Sequence, residues 1–175
     1  GSFANGTTAT QVPYIGWASW PGDLGWTSFP VIAPWHMYEH YGDKQILAEY
    51  YGGSKRFVDI IEEQAVNYLI IDSYNNFPNF ALFSDWGDPD TPSNYPTDAD
   101  KVLYRELHGT AFFYYCTSLV ATKAAILGNS TDAAYYSALA DNIKNAFNSK
   151  FFNYGTNQYV TGSQYCNTMP LYLGI

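Results

Sequence analysis

Hydrophobic residues recur at helical spacing along most of this chain, and the pattern predicts an all-α fold. In the stretch after residue 130, four apolar residues follow the first at 3, 4, 7 and 11 positions: Tyr136, Leu139, Ala140, Ile143 and Phe147. The block over 107–127 is apolar on nearly all sides, which is typical of a helix buried between neighbours. We predict helices over about 27–41, 44–66, 107–127 and 130–150, followed by the start of a fifth at Ser163.

Glycine, proline and capping residues mark the ends of the first two helices. Gly42 is expected to end the first helix in the left-handed conformation, and Asp43 is expected to cap the second. Pro34 is expected to bend or delay the first helix, and Gly52-Gly53 to interrupt the second with a kink.

The segments between helices have their own patterns. Tyr68–Ile71 predicts a short extended piece, and the Asn-, Pro- and Asp-rich stretch over 72–100 predicts a long loop of the kind that carries function. Ser130 or Thr131 is the expected cap of the fourth helix, and 151–162 predicts a turn-rich ribbon.

This order predicts one segment built from helical hairpins. It divides into an aromatic loop over 1–26, a hairpin over 27–66, a long loop over 67–106, a second hairpin over 107–150 and the start of a third over 151–175. A closed all-helical toroid repeats such hairpins, with short turns on one side and elaborate loops on the other. Two and a half hairpins do not close, so we expect the remainder of the same barrel, or another chain, to complete the ring.

Composition and charge exclude several classes of protein. The 175 residues are 19% aromatic and only 14% charged, which excludes a disordered chain. The net charge of −8 opposes binding to nucleic acid or to an anionic membrane surface. No apolar run approaches the roughly 18 residues that a membrane-spanning helix needs.

Two short features bear on the compartment. Cys116 and Cys166 lie far apart in sequence and fit either one disulfide or two buried thiols. Asn5 and Asn129 each begin an Asn-x-Ser/Thr triplet, the acceptor pattern for N-glycosylation. These triplets favour a secreted or extracellular protein.

Three stretches carry a resemblance to a known family. They are GDLGWTSFPVIAPWHMYEHYGD from Gly22, FSDWGDP from Phe83, and ELHGTAFFYY onward from Glu106 through GSQYCNTMPLYLGI. In their order and spacing they resemble the α-L-rhamnosidases of glycoside hydrolase family 78. The resemblance covers about residues 12–175, and Tyr165 stands where the family pattern has threonine.

The resemblance implies part of an (α/α)6 toroid in an enzyme that hydrolyses terminal α-L-rhamnose with inversion. Inversion needs two carboxyl groups roughly 6.5–9.5 Å apart, one acting as general acid and one as general base. In the family the acid lies ahead of the matched segment and the base beyond it, so no catalytic residue is expected within this chain. No cofactor is implied, and we expect the 175 residues alone to be inactive.

Four residues are implied to bind the sugar. Trp26 and Trp86 would form walls of the rhamnose pocket, since indole rings pack against C–H faces and the methyl group. Asp23 and Asp85 would accept hydrogen bonds from sugar hydroxyls. The alternatives are ordinary loop packing for the tryptophans and turn or helix-cap roles for the aspartates.

Two patterns raise the question of a metal, and we predict none. His36 to His40 satisfies the His-x-x-Glu-His pattern of one class of zinc peptidases, but no third ligand is evident and the segment fits the glycosidase helix. Five aspartates, Asp85, Asp88, Asp90, Asp98 and Asp100, match no calcium-loop spacing and predict a solvated acidic loop.

Other functions stay open at this point. Helical barrels host many sugar chemistries, so the chain also fits another (α/α)6 glycosidase or a polysaccharide lyase. A third interpretation is a non-catalytic carbohydrate-binding or structural module that kept the aromatic loops.

Overall fold

The computed structural model describes residues 23–71 and 98–175, and these ranges are almost entirely helical. The helices are α1 Leu24–Thr27, α2 Phe29–Tyr41, α3 Lys44–Gln64, α4 Asp98–Ile126, α5 Ser130–Phe151 and α6 Gln164–Leu173; strands β1 Phe152–Asn153 and β2 Gln158–Tyr159 form an antiparallel ribbon between α5 and α6. The all-α prediction is confirmed, as is the ribbon.

The helices form two hairpins that lie side by side. A tight turn joins α2 to α3 and another joins α4 to α5. Along α3 and α5 the contacts run in the same order, Lys55 to Asp132 and then Asp59 to Tyr136, so these two helices are parallel. Helix α4 packs against every other long helix, which makes it the centre of the structure.

Among the residues that the structure describes, two hydrophobic clusters hold the hairpins together. The larger joins α2, α3, α4 and the first half of α5 around Phe57, Ile61, Phe113 and Val120. The smaller joins the start of α4, the end of α5, the ribbon and α6. All five residues of the predicted α5 stripe are buried: Tyr136, Leu139, Ala140, Ile143 and Phe147.

Local capping explains where most helices begin and end. Gly42 adopts φ 68° and ends α2, and the Asp43 carboxylate accepts from Gln45 N–H at 2.8 Å to begin α3, as predicted. Ser163 caps α6 through Cys166 N–H. The prediction for α5 was wrong by one residue, because Asn129 is the cap and its side chain accepts from Asp132 N–H.

Several predicted boundaries were wrong. The predicted first helix is two helices that meet at Ser28, and α2 passes through Pro34. Helix α3 continues through Gly52-Gly53 as one element, because the apolar residues on both sides pack into the same cluster.

The segments around the second hairpin also depart from prediction. Helix α4 begins nine residues before the expected start at Leu107, because Tyr104 extends its buried face onto the smaller cluster. After α3 the chain forms a tight turn with Asn67 and Tyr68 at positive φ, bridged by Val66 and Leu69, instead of an extended piece.

Cys116 and Cys166 are both buried, and no disulfide joins them. In the two described ranges no helix is both long and apolar enough to cross a membrane.

Candidate functional site

Three elements from distant parts of the sequence meet at the end of the structure opposite the two tight turns. Asp23 precedes α1, His108 lies in α4, and Tyr165 lies in the first turn of α6. His108 Nε2 is 2.8 Å from Asp23 Oδ1, and His108 Nδ1 makes a short hydrogen bond with the Tyr165 hydroxyl. The side chains of His108 and Asp23 are only 7% and 3% exposed, so the contact is shielded from water.

The carboxylate fixes the direction of one of these hydrogen bonds. Asp23 Oδ1 also accepts from Gly25 N–H at 2.7 Å, so this oxygen is the acceptor and His108 Nε2–H is the donor. The other ring nitrogen, Nδ1, pairs with the Tyr165 hydroxyl, which has both a donor and an acceptor. One imidazole thus bridges the carboxylate and the hydroxyl.

Asp23 also organises the short helix α1. Its carboxylate caps the helix, and its carbonyl oxygen accepts from Trp26 N–H and Thr27 N–H. Gly25 is tightly enclosed, since a Cβ at this position would lie 2.9 Å from Asp23 Oδ1 and 3.0 Å from His108 Nε2. The turn that carries Trp26 is thus built on the contact between Asp23 and His108.

Trp26 has the exposure expected of a binding wall. It lies three residues after Asp23 and is 50% exposed, although the neighbouring Leu24 and Thr27 are fully buried. Asp23 itself is 2% exposed and takes the helix-cap role given above as the alternative. The structure therefore brings these two predicted residues together, whereas Asp85, Trp86 and Asn5 lie outside the described residues.

Sequence reasoning missed His108 and Tyr165 as partners in this site. The signal available was a histidine inside an apolar helix, together with a tyrosine where the family pattern has threonine. A further buried carboxylate on α4, Glu106, pairs with Lys150 of α5 at 2.5 Å. This ion pair joins α4 to the end of α5 beside the ribbon.

The His-x-x-Glu-His segment is used differently from a zinc site. His36 Nδ1 contacts Glu39 Oε2 at 2.8 Å within α2, and the His40 ring lies edge-on to Tyr41. Over 23–71 and 98–175, no three His, Cys, Asp or Glu side chains are grouped to hold a metal.

Comparison with known families identifies the domain type. The model for the bacterial alpha-L-rhamnosidase 6 hairpin glycosidase domain matches residues 2–175, which is nearly the whole chain.

Curated relatives carry the same designation. An alpha-L-rhamnosidase from Formosa agariphila is 34% identical over 140 residues, which is 80% of this chain and 14% of the relative. One from Alteromonas sp. is 29% identical over 154 residues, which is 85% of this chain and 15% of the relative. The chain therefore spans about one seventh of the length of these two relatives.

Solved structures show the same fold. An alpha-L-rhamnosidase from Dictyoglumus thermophilum superposes with a TM-score of 0.78 at 34% identity, covering 99% of this chain and 18% of that chain. One from Streptomyces avermitilis, solved in complex with L-rhamnose, gives a TM-score of 0.77 at 24% identity and covers 99% of this chain and 15% of that one. The described helices are thus part of a larger helical barrel, as the hairpin order predicted.

Proposed function

This chain belongs to the bacterial alpha-L-rhamnosidase six-hairpin glycosidase family, and we propose that the protein containing it hydrolyses terminal α-L-rhamnosides. The observation that carries the proposal is the half-exposed indole of Trp26, held on a turn whose base is the buried contact between Asp23 and His108. A rigid aromatic wall at the loop-rich end of a helical barrel suits a deoxyhexose, which presents C–H faces and a methyl group.

In this proposal the segment binds the sugar and does not perform the proton transfers. Trp26 and Trp86 pack against the sugar ring, and Asp85 accepts a hydrogen bond from a sugar hydroxyl. Asp23 lies beneath Trp26 and accepts the hydrogen bonds that hold its turn. The general acid and the water-activating base come from the rest of the barrel, where two carboxyl groups are placed for inversion.

The decisive experiment uses the protein that contains this chain with three aryl glycosides: an α-L-rhamnoside, an α-L-fucoside and a β-D-glucoside. We expect release of the aryl group from the rhamnoside, and NMR should show the inverted anomer as the first product. Cleavage of another glycoside alone would indicate a different (α/α)6 glycosidase. Binding without any cleavage would indicate a carbohydrate-binding module, and either result would overturn the proposal.

The 175 residues tested alone provide a second check. Without the two catalytic carboxyl groups the segment is expected to show no turnover of the aryl rhamnoside. Robust turnover would mean that the acid and base lie within this chain.

We also propose that the protein is secreted and carries a glycan at Asn129. The residue is exposed at the turn between α4 and α5, on the side opposite the site. Its Oδ1 caps α5, and its Nδ2 donates to Asp132 Oδ2 at 2.9 Å. Because a glycosylated amide keeps its oxygen, the cap can persist. Treatment of the natively produced protein with an N-glycosidase should lower its mass, and Asn129→Gln should abolish that change at this position.

A further inference from the structure

The buried histidine of α4 contacts a second partner, Tyr165, in addition to Asp23 beneath Trp26. We propose that His108 is a positioning residue of the sugar site: by bridging Asp23 and Tyr165 it fixes the turn that carries Trp26 and thereby sets the affinity for the sugar. The inference rests on the proposed rhamnosidase function and names the device that holds its binding wall in place.

The contacts of His108 reach the two elements that flank α4. Its Nε2 bonds Asp23, 85 positions earlier in the chain, and its Nδ1 bonds Tyr165, 57 positions later. The Tyr165 ring also stacks on His108, with the ring centroids 5.8 Å apart and the planes inclined at 27°. One side chain thus ties the turn before α2 to the first turn of α6.

The ring of His108 is itself fixed in place. Phe112, one turn further along α4, lies against it with a centroid separation of 4.9 Å, and Tyr104, one turn earlier, contacts Tyr165 at 5.2 Å. With both ring nitrogens bonded and two aromatic rings in contact with it, the His108 ring is held in one orientation. Consecutive hydrogen bonds of this kind polarise one another, so losing one weakens the next.

The effect on Trp26 follows from the backbone geometry. The peptide N–H of Gly25 and the imidazole N–H of His108 both donate to Asp23 Oδ1. Without His108 the carboxylate loses a buried donor that orients it, and the adjoining turn can relax. Since Trp26 follows Gly25 directly, its indole would then be held less firmly, and binding would require ordering it again.

The test compares substitutions of His108 that keep its bond to Asp23, its bond to Tyr165, or neither. In His108→Gln the amide reaches the position of Nε2 and keeps the bond to Asp23; in His108→Asn it occupies the position of Nδ1 and keeps only the bond to Tyr165. His108→Phe removes both bonds. In the protein that contains this chain, we expect the Asn and Phe variants to raise KM for an aryl α-L-rhamnoside by about tenfold with kcat nearly unchanged. The Gln variant should stay within about threefold of wild type.

A direct binding measurement accompanies the kinetics. The Kd for L-rhamnose, from calorimetry, should rise with KM in the Asn and Phe variants. The matched control is Thr117→Val, which removes another buried hydrogen bond of α4 whose partner is Phe113 O in the same helix. This control is expected to lower thermal stability while leaving KM and Kd unchanged, so a purely structural role for His108 would make its variants behave in the same way.

The inference would be overturned if the Asn and Phe variants fold and their KM and Kd equal those of wild type. It would also be overturned if these variants lose only kcat. If the Phe variant does not fold, the comparison between Gln and Asn decides. Failure of the wild-type protein to bind or cleave any α-L-rhamnoside would refute the proposed function, which is a different outcome from a wild-type enzyme that is insensitive to His108.

Discussion

The ammonium nitrogen of Lys123 on α4 lies 2.6 Å from the carbonyl oxygen of Val31 on α2, and the lysine is fully buried. The same ammonium donates to Ser54 Oγ on α3 at 3.0 Å. One lysine therefore connects three helices in the middle of the larger hydrophobic cluster. A buried charge is tolerated only when its donors find acceptors, and here the acceptors come from two neighbouring helices.

These contacts lie next to the backbone position that Pro34 perturbs. Pro34 has no N–H, so it cannot donate to the carbonyl oxygen of Pro30 in the preceding turn. Ser54 Oγ lies 3.3 Å from that oxygen and 3.0 Å from Tyr50 O. A hydroxyl from α3 thus lies where the helical donor is missing. Its one proton is shared between Pro30 O and Tyr50 O, so it offsets part of the cost of the proline inside α2.

Replacing Lys123 with methionine should change how stability depends on pH. Burial lowers the pKa of Lys123 to about 8 from 10.5, so between these values the unfolded chain holds a proton that the folded chain has released. The contribution of Lys123 to the free energy of unfolding therefore rises between pH 8 and 10.5, by about 3 kcal/mol in total. The free energy of unfolding of wild type minus that of Lys123→Met should increase by this amount from pH 7.5 to 10.5. Urea unfolding of the parent protein, followed by tryptophan fluorescence, measures it.

Lys44→Met is the control for this comparison, because Lys44 is an exposed lysine in the first turn of α3. Burial raises the pKa of the Cys116 thiol to about 12, and the Lys123 charge opposes this rise. Lys123→Met therefore also removes an interaction with this thiol, and above pH 9 the measured difference belongs to the pair. A difference that stays flat across the window would show that Lys123 keeps its charge when folded.

Ser54→Ala should destabilise the junction of the three helices by about 1–3 kcal/mol, because it leaves buried groups without their hydroxyl partner. Pro34→Ala supplies a backbone N–H for Pro30 O, so Ser54→Ala should cost less in that background. Urea unfolding of wild type, the two single variants and the double variant measures the coupling between Ser54 and Pro34. Additive changes in the free energy of unfolding would contradict it.

Ser118→Ala is the control for loss of a hydroxyl, because the Ser118 hydroxyl bonds Tyr114 O within α4.

Trp26→Ala should raise KM for an aryl α-L-rhamnoside by about 10- to 100-fold, because the indole supplies apolar area to the sugar. Stability should change little, since the side chain is already 50% exposed. Tyr41→Ala is the matched control: this aromatic is 76% exposed at the opposite end of α2. Equal effects of the two substitutions on KM would argue against a wall at Trp26.

Asp132→Asn should lower stability at neutral pH by about 1–2 kcal/mol. Tyr51, Lys55 and Asn129 all donate to this carboxylate, and these bonds, led by the one from Tyr51, hold the pKa of Asp132 below its usual range. The carboxylate therefore stabilises the fold above the pKa it has in the unfolded chain, and this contribution is lost as pH falls through the lower, folded value. Thermal unfolding between pH 7 and pH 3 should show the two proteins converging in acid.

Asp141→Asn is the control, since Asp141 is an exposed aspartate on the same helix. A stability difference that persists unchanged at pH 3 would mean that the charge of Asp132 is not the cause.

Local patterns predicted much of the fold. The apolar stripe of α5, the end of α2 at Gly42 and the cap at Asp43 were all visible in the sequence, because each depends on residues within one or two turns. Several of the other boundaries depend on a distant element. Ser54 of α3 places a hydroxyl beside the Pro30 carbonyl that Pro34 leaves without its helical donor, and the ribbon and α6 pack against Tyr104 near the start of α4.

The residues of the candidate site also fall into those that the sequence predicted and those that only the structure brings together. Trp26 and Asp23 were predicted from the order of motifs in one stretch of sequence, and their role in binding sugar stays a prediction. His108 was missed because its partners lie 85 and 57 positions away, and only the packing of α4 between α1 and α6 brings them within hydrogen-bond distance.

By itself the sequence determined the helices, most of their caps and the kind of barrel to which they belong, since periodicity and capping act over a few neighbouring residues. The tertiary structure alone decided which buried polar groups meet: Lys123 with Val31 and Ser54, and His108 with Asp23 and Tyr165. The reason is physical. A buried donor must find an acceptor wherever the packed helices bring one close, and that position has no fixed distance along the chain.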